Sequence, residues 1–328
     1  MRCTIAVMLG VIPLAGTVRG DAPSALEKGI VNFVPQDEDQ KKIPARYRLE
    51  KNHFDYELRK IKTLPVSGVE VFELTFPSPV KSATPENNTV YAEYYRPAGN
   101  GPFPCVIVLD ILAGNQKLPQ LIAGHLAQNK IAGLFVQMAY YGPRRPKGSK
   151  LRFLSPDVNH TIDAIRQTVL DMRRATAWME ARPEIDGKRL GIMGVSLGSF
   201  VAGLTAEMEP KLGRVGIVLG GGGIVDAYYD DPRGASYRKL WEAVGGSKQK
   251  LAKLIAPVDP ITHADRLKDR KVLMIAARND EVVPPRMAEA LWNASGRQQI
   301  VWLENAGHYT AALHLLKGLT HIVKHFGE

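Results

Sequence analysis

Cysteine is scarce in this sequence, which has only Cys3 and Cys105 among its 328 residues. Cys3 lies in an apolar N-terminal segment that we expect to be removed, so Cys105 would have no partner for an intrachain disulfide. Cys105 begins an apolar run typical of a buried strand, where a free cysteine packs as a small apolar side chain. The sequence therefore excludes a disulfide framework.

Nucleic-acid-binding motifs are also lacking. The formal net charge is +10, but the basic residues are dispersed and form no stripe interleaved with aromatic residues, so we expect no nucleic-acid partner. A composition of 45% hydrophobic and 23% charged residues is typical of a soluble globular protein. The length is sufficient for one large α/β domain with a sizeable core.

Residues 1–20 have the pattern of a secretory signal peptide. Arg2 precedes a mainly apolar run from residue 5 to residue 18, and small residues precede a cleavage site near Gly20. The run is short and is interrupted by Pro13 and Gly16, which disfavours a membrane span. Cleavage would lower the formal charge to +8 by removing two arginines. We expect a secreted or periplasmic protein with no stable membrane insertion after cleavage; an uncleaved anchor is the alternative.

A serine motif occupies the centre of the sequence. The pentapeptide Gly194-Val195-Ser196-Leu197-Gly198 fits G-x-S-x-G, a turn that exposes a nucleophilic serine between a strand and a helix. An apolar run precedes the motif and a small-residue helical pattern follows it, which argues against a chance match in an ordinary turn. The N–H of Leu197 would lie at a helix N-terminus and could stabilise an oxyanion.

An acid and a histidine follow in the order that this motif requires. Asp280 comes after the apolar strand predicted for residues 271–277, and His308 comes after the one predicted for residues 300–303. Glu281 adjoins Asp280 and is the alternative acid. The three side chains Ser196, Asp280 and His308 therefore form a candidate nucleophile, orienting acid and general base.

These motifs resemble those of the α/β-hydrolases, and within them the dienelactone hydrolase and acetyl xylan esterase-like branch. The resemblance covers about residues 66–328 and includes the 194–198 turn, Asp280 followed by Val283-Pro284, and Ala306-Gly307-His308. It implies a mostly parallel central sheet with helices on both faces and a small helical cap insertion at residues 224–268. Dienelactone hydrolases have a cysteine where this chain has Ser196, which favours ordinary ester substrates.

The resemblance also implies a second oxyanion donor after the apolar strand at residues 104–109. Matched by position, this donor is the N–H of Leu112. The His-Gly of the family motif is replaced here by Asp110-Ile111. An ionised Asp110 would oppose an oxyanion, so we expect its carboxylate to point away into hydrogen bonds.

Two further segments are candidates for substrate contact. Arg144 and Arg145 lie in a Gly/Pro-rich loop and are candidates for binding an acidic or phosphorylated substrate; the favoured alternative is a solvated loop whose arginines pair with local carboxylates. The glycines at residues 220–223 lack the flanking residues of a phosphate loop and are predicted to leave room beside Ser196.

Other segments are less informative. Residues 21–65 are predicted to be an N-terminal extension, and residues 66–76 and 89–96 an antiparallel strand pair at a sheet edge. Aromatic residues at 224–268 suit either a pocket lining or plain core. His321 and His325 are four residues apart on the final helix, but no third ligand is nearby, so we predict no metal site.

The sequence thus predicts a secreted serine esterase that acts on a small-molecule or polymer-linked ester and needs no cofactor. One alternative is a peptidase of the same fold, but the residues before the domain are too few for the propeller of prolyl oligopeptidases. The other is a non-catalytic hydrolase-fold protein that binds an anionic polymer through its basic surface.

Overall fold

Ten strands in the computed structural model, which describes residues 26–35 and 37–328, form one sheet. They are β1 (Glu27–Phe33), β2 (Asn52–Thr63), β3 (Glu70–Pro77), β4 (Thr89–Arg96), β5 (Phe103–Leu109), β6 (Ala132–Val136), β7 (Ile185–Val195), β8 (Arg214–Val218), β9 (Lys271–Ala277) and β10 (Gln299–Leu303). The predicted signal peptide lies outside the described residues.

The sheet has an antiparallel half and a parallel half. Its strand order is β1-β2-β3-β4-β6-β5-β7-β8-β9-β10. Neighbours from β1 to β6 in this order are antiparallel, and those from β6 to β10 are parallel. β3 and β4 pair as predicted, but their placement at the sheet edge is wrong because β2 and β1 add beyond β3. Phe54 and Leu58 of β2 are buried, so this part of the predicted extension contributes to the core.

Nine α-helices accompany the sheet in the described part of the chain. They are α1 (Asp37–Lys42), α2 (Lys117–Gln128), α3 (Val158–Glu180), α4 (Leu197–Met208), α5 (Ile224–Tyr228), α6 (Ala235–Ala243), α7 (Lys248–Ile255), α8 (Pro285–Ala294) and α9 (Leu315–Gly327). The apolar residues of α3 and α4 pack on one face of the sheet, and those of α2 and α9 pack on the other. The predicted arrangement of helices on both faces of a mostly parallel sheet is confirmed.

Strand β5 lies at the centre of the ten-stranded sheet and is buried along its whole length. Such a strand must be apolar on both sides, as its sequence is, because helices cover both faces of the sheet. Cys105 of this strand is a free, fully buried side chain, as predicted. Its neighbours β6 and β7 lie on opposite sides of it, so the loops after β5 and β7 leave a crevice at the carboxyl ends of the strands.

Residues 224–268 form helices α5, α6 and α7 and a 3-10 segment, Pro260–Leu267, inserted between β8 and β9. The sequence predicts this helical insertion. None of the helices described here is both long enough and apolar enough to cross a membrane.

Candidate active site

Ser196 lies at the sharp turn between β7 and α4. Its backbone has φ 52° and ψ −120°, a conformation that residues other than glycine rarely adopt. A Cβ atom at Gly194 would lie 2.1 Å from the carbonyl carbon of Gly198, and one at Gly198 would lie 2.5 Å from the carbonyl oxygen of Asp110. Both glycines are therefore required because the backbone doubles back against itself and against the loop after β5.

Ser196, His308 and Asp280 form a continuous hydrogen-bonded chain. His308 Nε2 lies 2.9 Å from Ser196 Oγ, and His308 Nδ1 lies 2.8 Å from Asp280 Oδ2 and 3.0 Å from Oδ1. Because Nδ1 faces a carboxylate, it carries the proton and leaves Nε2 free to accept one from the serine. The three residues that the sequence singles out are thus brought together in the geometry of a nucleophile, a base and an orienting acid.

Asp280 is fixed by its own backbone surroundings. It is buried, and its Oδ1 accepts hydrogen bonds from the N–H groups of Val282 (2.9 Å) and Val283 (2.7 Å). These bonds orient the carboxylate so that Oδ2 faces the imidazole. The loop after β9 therefore holds Asp280 in one position before any substrate binds.

Glu281, the alternative acid, has a different place. Its Oε2 accepts a hydrogen bond from the backbone N–H of His308 at 3.1 Å and does not face the imidazole nitrogens. A Cβ atom at Gly307 would lie 2.5 Å from this oxygen, so a side chain there would displace the Glu281 carboxylate from this hydrogen bond. Glu281 thus positions the backbone that carries His308.

The loop after β5 is wrapped around the carboxylate of Asp110. Asp110 is buried, and it accepts hydrogen bonds from the N–H groups of Ile111 (2.8 Å) and Gln116 (3.1 Å). Burial raises the pKa of Asp110, and these two bonds oppose the rise. The expectation that this carboxylate is engaged in hydrogen bonds is confirmed, and the loop presents Leu112 at the cavity that contains Ser196 and His308.

The first residue of α4 is Leu197, whose N–H therefore has no partner within the helix. The helix dipole adds to the positive potential at this point. Leu197 follows Ser196 at the start of α4, and Leu112 lines the same cavity as Ser196. The role of their two N–H groups as oxyanion donors stays a prediction.

Tyr141 is a residue that the sequence analysis missed. Its hydroxyl donates a hydrogen bond to the carbonyl of Ile111 (3.0 Å) and accepts one from the N–H of Ala113 (3.2 Å). It therefore braces the loop on both sides of Leu112. The sequence shows only that a tyrosine lies in the loop after β6. The pattern of the strands does not indicate that this tyrosine contacts the loop after β5.

The predicted substrate contact of Arg144 is wrong. Arg144 is completely buried and forms an ion pair with buried Asp171 at 2.7 Å. It also donates hydrogen bonds to the carbonyls of Gln137 (2.9 Å) and Asn87 (2.8 Å). Its carboxylate partner satisfies its charge inside the protein. Arg145 is exposed, but it does not line the cavity at Ser196.

The prediction that the glycine run at residues 220–223 leaves room beside Ser196 is also wrong. A Cβ atom at Gly220 would lie 1.8 Å from Ser199 Oγ, and one at Gly221 would lie 2.3 Å from the backbone of Met287. Asp259 accepts hydrogen bonds from the N–H groups of Gly223 (2.9 Å) and Ile224 (2.6 Å). The glycines serve close packing between β8, α4 and α8.

Two other features lie apart from Ser196. Aromatic residues of the 224–268 insertion, including Tyr228 and Trp241, line a separate cavity of about 650 Å³. His325 is buried, and this burial lowers its pKa to about 4.

Within residues 26–35 and 37–328, no group of three or more His, Cys, Asp or Glu side chains is arranged to hold a metal ion.

A cavity of about 350 Å³ opens at Ser196 and His308. Its walls come from the loop after β5, the carboxyl ends of the parallel strands, and helices α2 and α9. No residue of the 224–268 insertion lines it. The reactive groups therefore line a partly open space large enough for a small organic ligand.

Comparisons with known proteins agree with this fold. Residues 163–325 match the model of the prolyl oligopeptidase family. The fold is similar to that of an acetyl xylan esterase from Paenibacillus sp. R4, with a TM-score of 0.64 and 16% identity over 82% of this chain and 88% of that chain. Acetyl xylan esterase 1 from Thermoanaerobacterium sp. JW/SL YS485 gives a TM-score of 0.62 and 21% identity over 82% and 87%.

A relative by sequence is an uncharacterized protein of Mycobacterium tuberculosis, 27% identical over 173 residues. This match spans 49% of the present chain and 38% of the relative's length. The solved structures share the fold of this chain, and the matched family segment contains Ser196, Asp280 and His308. The chain has the α/β-hydrolase fold.

Proposed function

We propose that this protein is a serine hydrolase that cleaves carboxylic esters through an acyl-enzyme intermediate. The observation that carries the proposal is the hydrogen-bonded chain from Ser196 Oγ through the His308 imidazole to the buried Asp280 carboxylate. The α/β-hydrolase fold and its similarity to two acetyl xylan esterases of known structure support it.

In the acylation step, Ser196 Oγ attacks the ester carbonyl carbon while its proton passes to His308 Nε2. Negative charge then develops on the carbonyl oxygen, where the N–H groups of Leu197 and Leu112 stabilise it. The bond to the alcohol oxygen breaks as His308 Nε2 donates its proton to that oxygen. Asp280 keeps the other imidazole proton on Nδ1 and stabilises the imidazolium.

Deacylation repeats these steps with water as the nucleophile. His308 Nε2 accepts a proton from water as the hydroxide oxygen attacks the acyl carbon, and the proton is then returned to Ser196 Oγ. The acid is released and the serine is regenerated. Besides water and the ester, the groups that act in this cycle are Ser196, His308, Asp280 and the two N–H groups.

A peptidase activity is the second candidate, and the match to the prolyl oligopeptidase family favours it. The cavity favours the ester reaction, because its lining contains no Asp, Glu, Lys or Arg side chain among the described residues. A peptide would bring polar amide groups into this space, and buried amides without hydrogen-bond partners are costly.

The test is hydrolysis of p-nitrophenyl acetate and of peptide p-nitroanilides by residues 21–328 and by the Ser196→Ala variant. We expect ester hydrolysis that falls at least a thousandfold in the variant. Serine-dependent cleavage of the anilides with no ester hydrolysis would establish the peptidase instead. Equal, slow rates for both proteins would refute a serine mechanism. Secretion stays a prediction from residues 1–20.

A further inference from the structure

The cavity at Ser196 is lined almost entirely by aliphatic side chains. Among the described residues that line it, only Ser196, His308, Tyr309 and His314 carry polar side-chain atoms. The remaining lining residues are aliphatic or glycine. The aliphatic part of this surface offers no side-chain hydrogen-bond partners to sugar hydroxyls, and covering it with alkyl groups is favourable.

The cavity runs from the protein surface toward the core. At the outer end, Leu112 and Tyr309 are 52% and 72% exposed. At the inner end, Ile122 of α2 and Ile322 of α9 are 1% and 4% exposed and belong to the core cluster between these helices and the sheet. A ligand that enters at Ser196 would therefore extend between α9 and the sheet.

The volume sets the size of the group that fits. A water molecule occupies about 30 Å³ of liquid, and a methylene group is of similar size, so a space of about 350 Å³ holds roughly ten methylene groups. An acetyl group would leave most of the cavity empty. Ligand sites in proteins normally bury most of the ligand surface and match its polarity.

We propose that this cavity binds a linear alkyl chain of roughly ten carbons that belongs to the ester cleaved at Ser196. The proposal rests on the proposed ester hydrolysis and specifies its substrate class. The alkyl chain is carried either by the acyl half or by the alcohol half of the ester, because both halves extend from the carbonyl carbon that Ser196 attacks.

Gly318 of α9 provides a substitution that tests this assignment. It lines the cavity, and a Cβ atom built there meets no heavy atom within 4 Å. A leucine at this position has room for its first atoms and shortens the space available to an alkyl chain. Gly213 is the matched control, because a Cβ atom there also meets no heavy atom within 4 Å and the residue does not line the cavity.

The experiment compares two ester series. In one, p-nitrophenyl esters vary from acetate to laurate; in the other, acetate esters vary from ethyl to dodecyl. We expect kcat/KM of the native chain to rise about fourfold per methylene in one series until roughly ten carbons, because each buried methylene contributes favourably. The series that shows the rise identifies the half of the ester that occupies the cavity.

In the Gly318→Leu variant we expect the ratio of kcat/KM for the ten-carbon ester to that for the two-carbon ester to fall at least tenfold. The Gly213→Leu variant should keep the native ratio. Gly318→Ala adds a single methyl group, favours the helix and should lower the ratio to a smaller extent, so the test survives if leucine prevents folding.

Serine-dependent hydrolysis of acetate with no dependence on chain length in either series would overturn the proposal and leave the esterase function intact. A native ratio in both Gly318 variants would overturn it as well. If no ester in either series is hydrolysed in a Ser196-dependent way, the proposed function itself fails, and the inference about its substrate fails with it.

Discussion

Replacing Asp280 by asparagine should inactivate the protein through the tautomer of His308. Asp280 Oδ1 accepts hydrogen bonds from the N–H groups of Val282 and Val283, so the amide oxygen of an asparagine must occupy this position. The amide nitrogen then takes the position of Oδ2, 2.8 Å from His308 Nδ1. Because this nitrogen donates, it favours the tautomer with the proton on Nε2, which cannot accept a proton from Ser196.

The magnitude follows from the loss of the base. A triad with the wrong histidine tautomer loses about 10⁴-fold in kcat, which corresponds to about 5 kcal/mol of transition-state stabilisation at 25 °C. Stability should change little, because the asparagine oxygen keeps both backbone hydrogen bonds.

The assay is steady-state hydrolysis of a p-nitrophenyl ester, with thermal denaturation to confirm folding. Glu281→Gln is the matched control: its side-chain oxygen can still accept the hydrogen bond from the His308 N–H, so kcat should fall less than tenfold. A larger loss in Glu281→Gln than in Asp280→Asn would show that Glu281 is the orienting acid and would refute this reasoning.

Three further predictions concern buried ionisable groups. Arg144→Met leaves the Asp171 carboxylate buried without its ion-pair partner. It should lower the free energy of unfolding, measured in urea, by about 3–5 kcal/mol, and the double variant Arg144→Met/Asp171→Leu should recover this loss. A loss below about 1 kcal/mol would contradict the burial of this pair. Burial raises the pKa of Glu207 well above 4.5, so the folded state binds the proton more tightly and stability falls as pH rises above 4.5. Glu207→Gln should abolish this decline in melting temperature, and an unchanged decline would disprove the assignment. Burial lowers the pKa of His325 from 6.5 to about 4, so stability is lost as pH falls through this range, by up to about 3 kcal/mol. His325→Phe should lose less stability between pH 6.5 and pH 4, and the same loss as in the native chain would contradict the prediction.

The positions of Ser196, Asp280 and His308 were predictable because each follows an apolar strand. In a parallel sheet the carboxyl ends of such strands meet at one edge, so local patterns were sufficient to bring the three loops together. The flanking glycines were informative for the same reason, since their contacts at Gly194 and Gly198 are set by the turn itself.

Arg144 could not be placed in this way. Its partner Asp171 lies on α3, and the hydrogen bonds of Arg144 reach Asn87, which is 57 positions away in the chain. A loop with several cations looks exposed in sequence because nothing local shows which of them turns inward. The structure separates buried Arg144 from exposed Arg145.

The alkyl cavity was equally hidden. Ile122 and Ile322 have the spacing of ordinary core residues on their helices, and both do belong to the core cluster. The gap between them depends on the distance of α9 from the sheet and on the absence of a side chain at Gly318. These are properties of packing between distant segments, which a hydrophobic pattern does not encode.

The most direct test of the central claim is covalent labelling of Ser196. A p-nitrophenyl alkylphosphonate should release one equivalent of p-nitrophenolate, and the intact mass of the protein should rise by one phosphonyl group located at Ser196 by peptide mapping. Ser196→Ala should remain unlabelled, and His308→Ala should react at least a hundredfold more slowly. Labelling at another residue, or full ester hydrolysis by a protein that the phosphonate has not modified, would contradict the account.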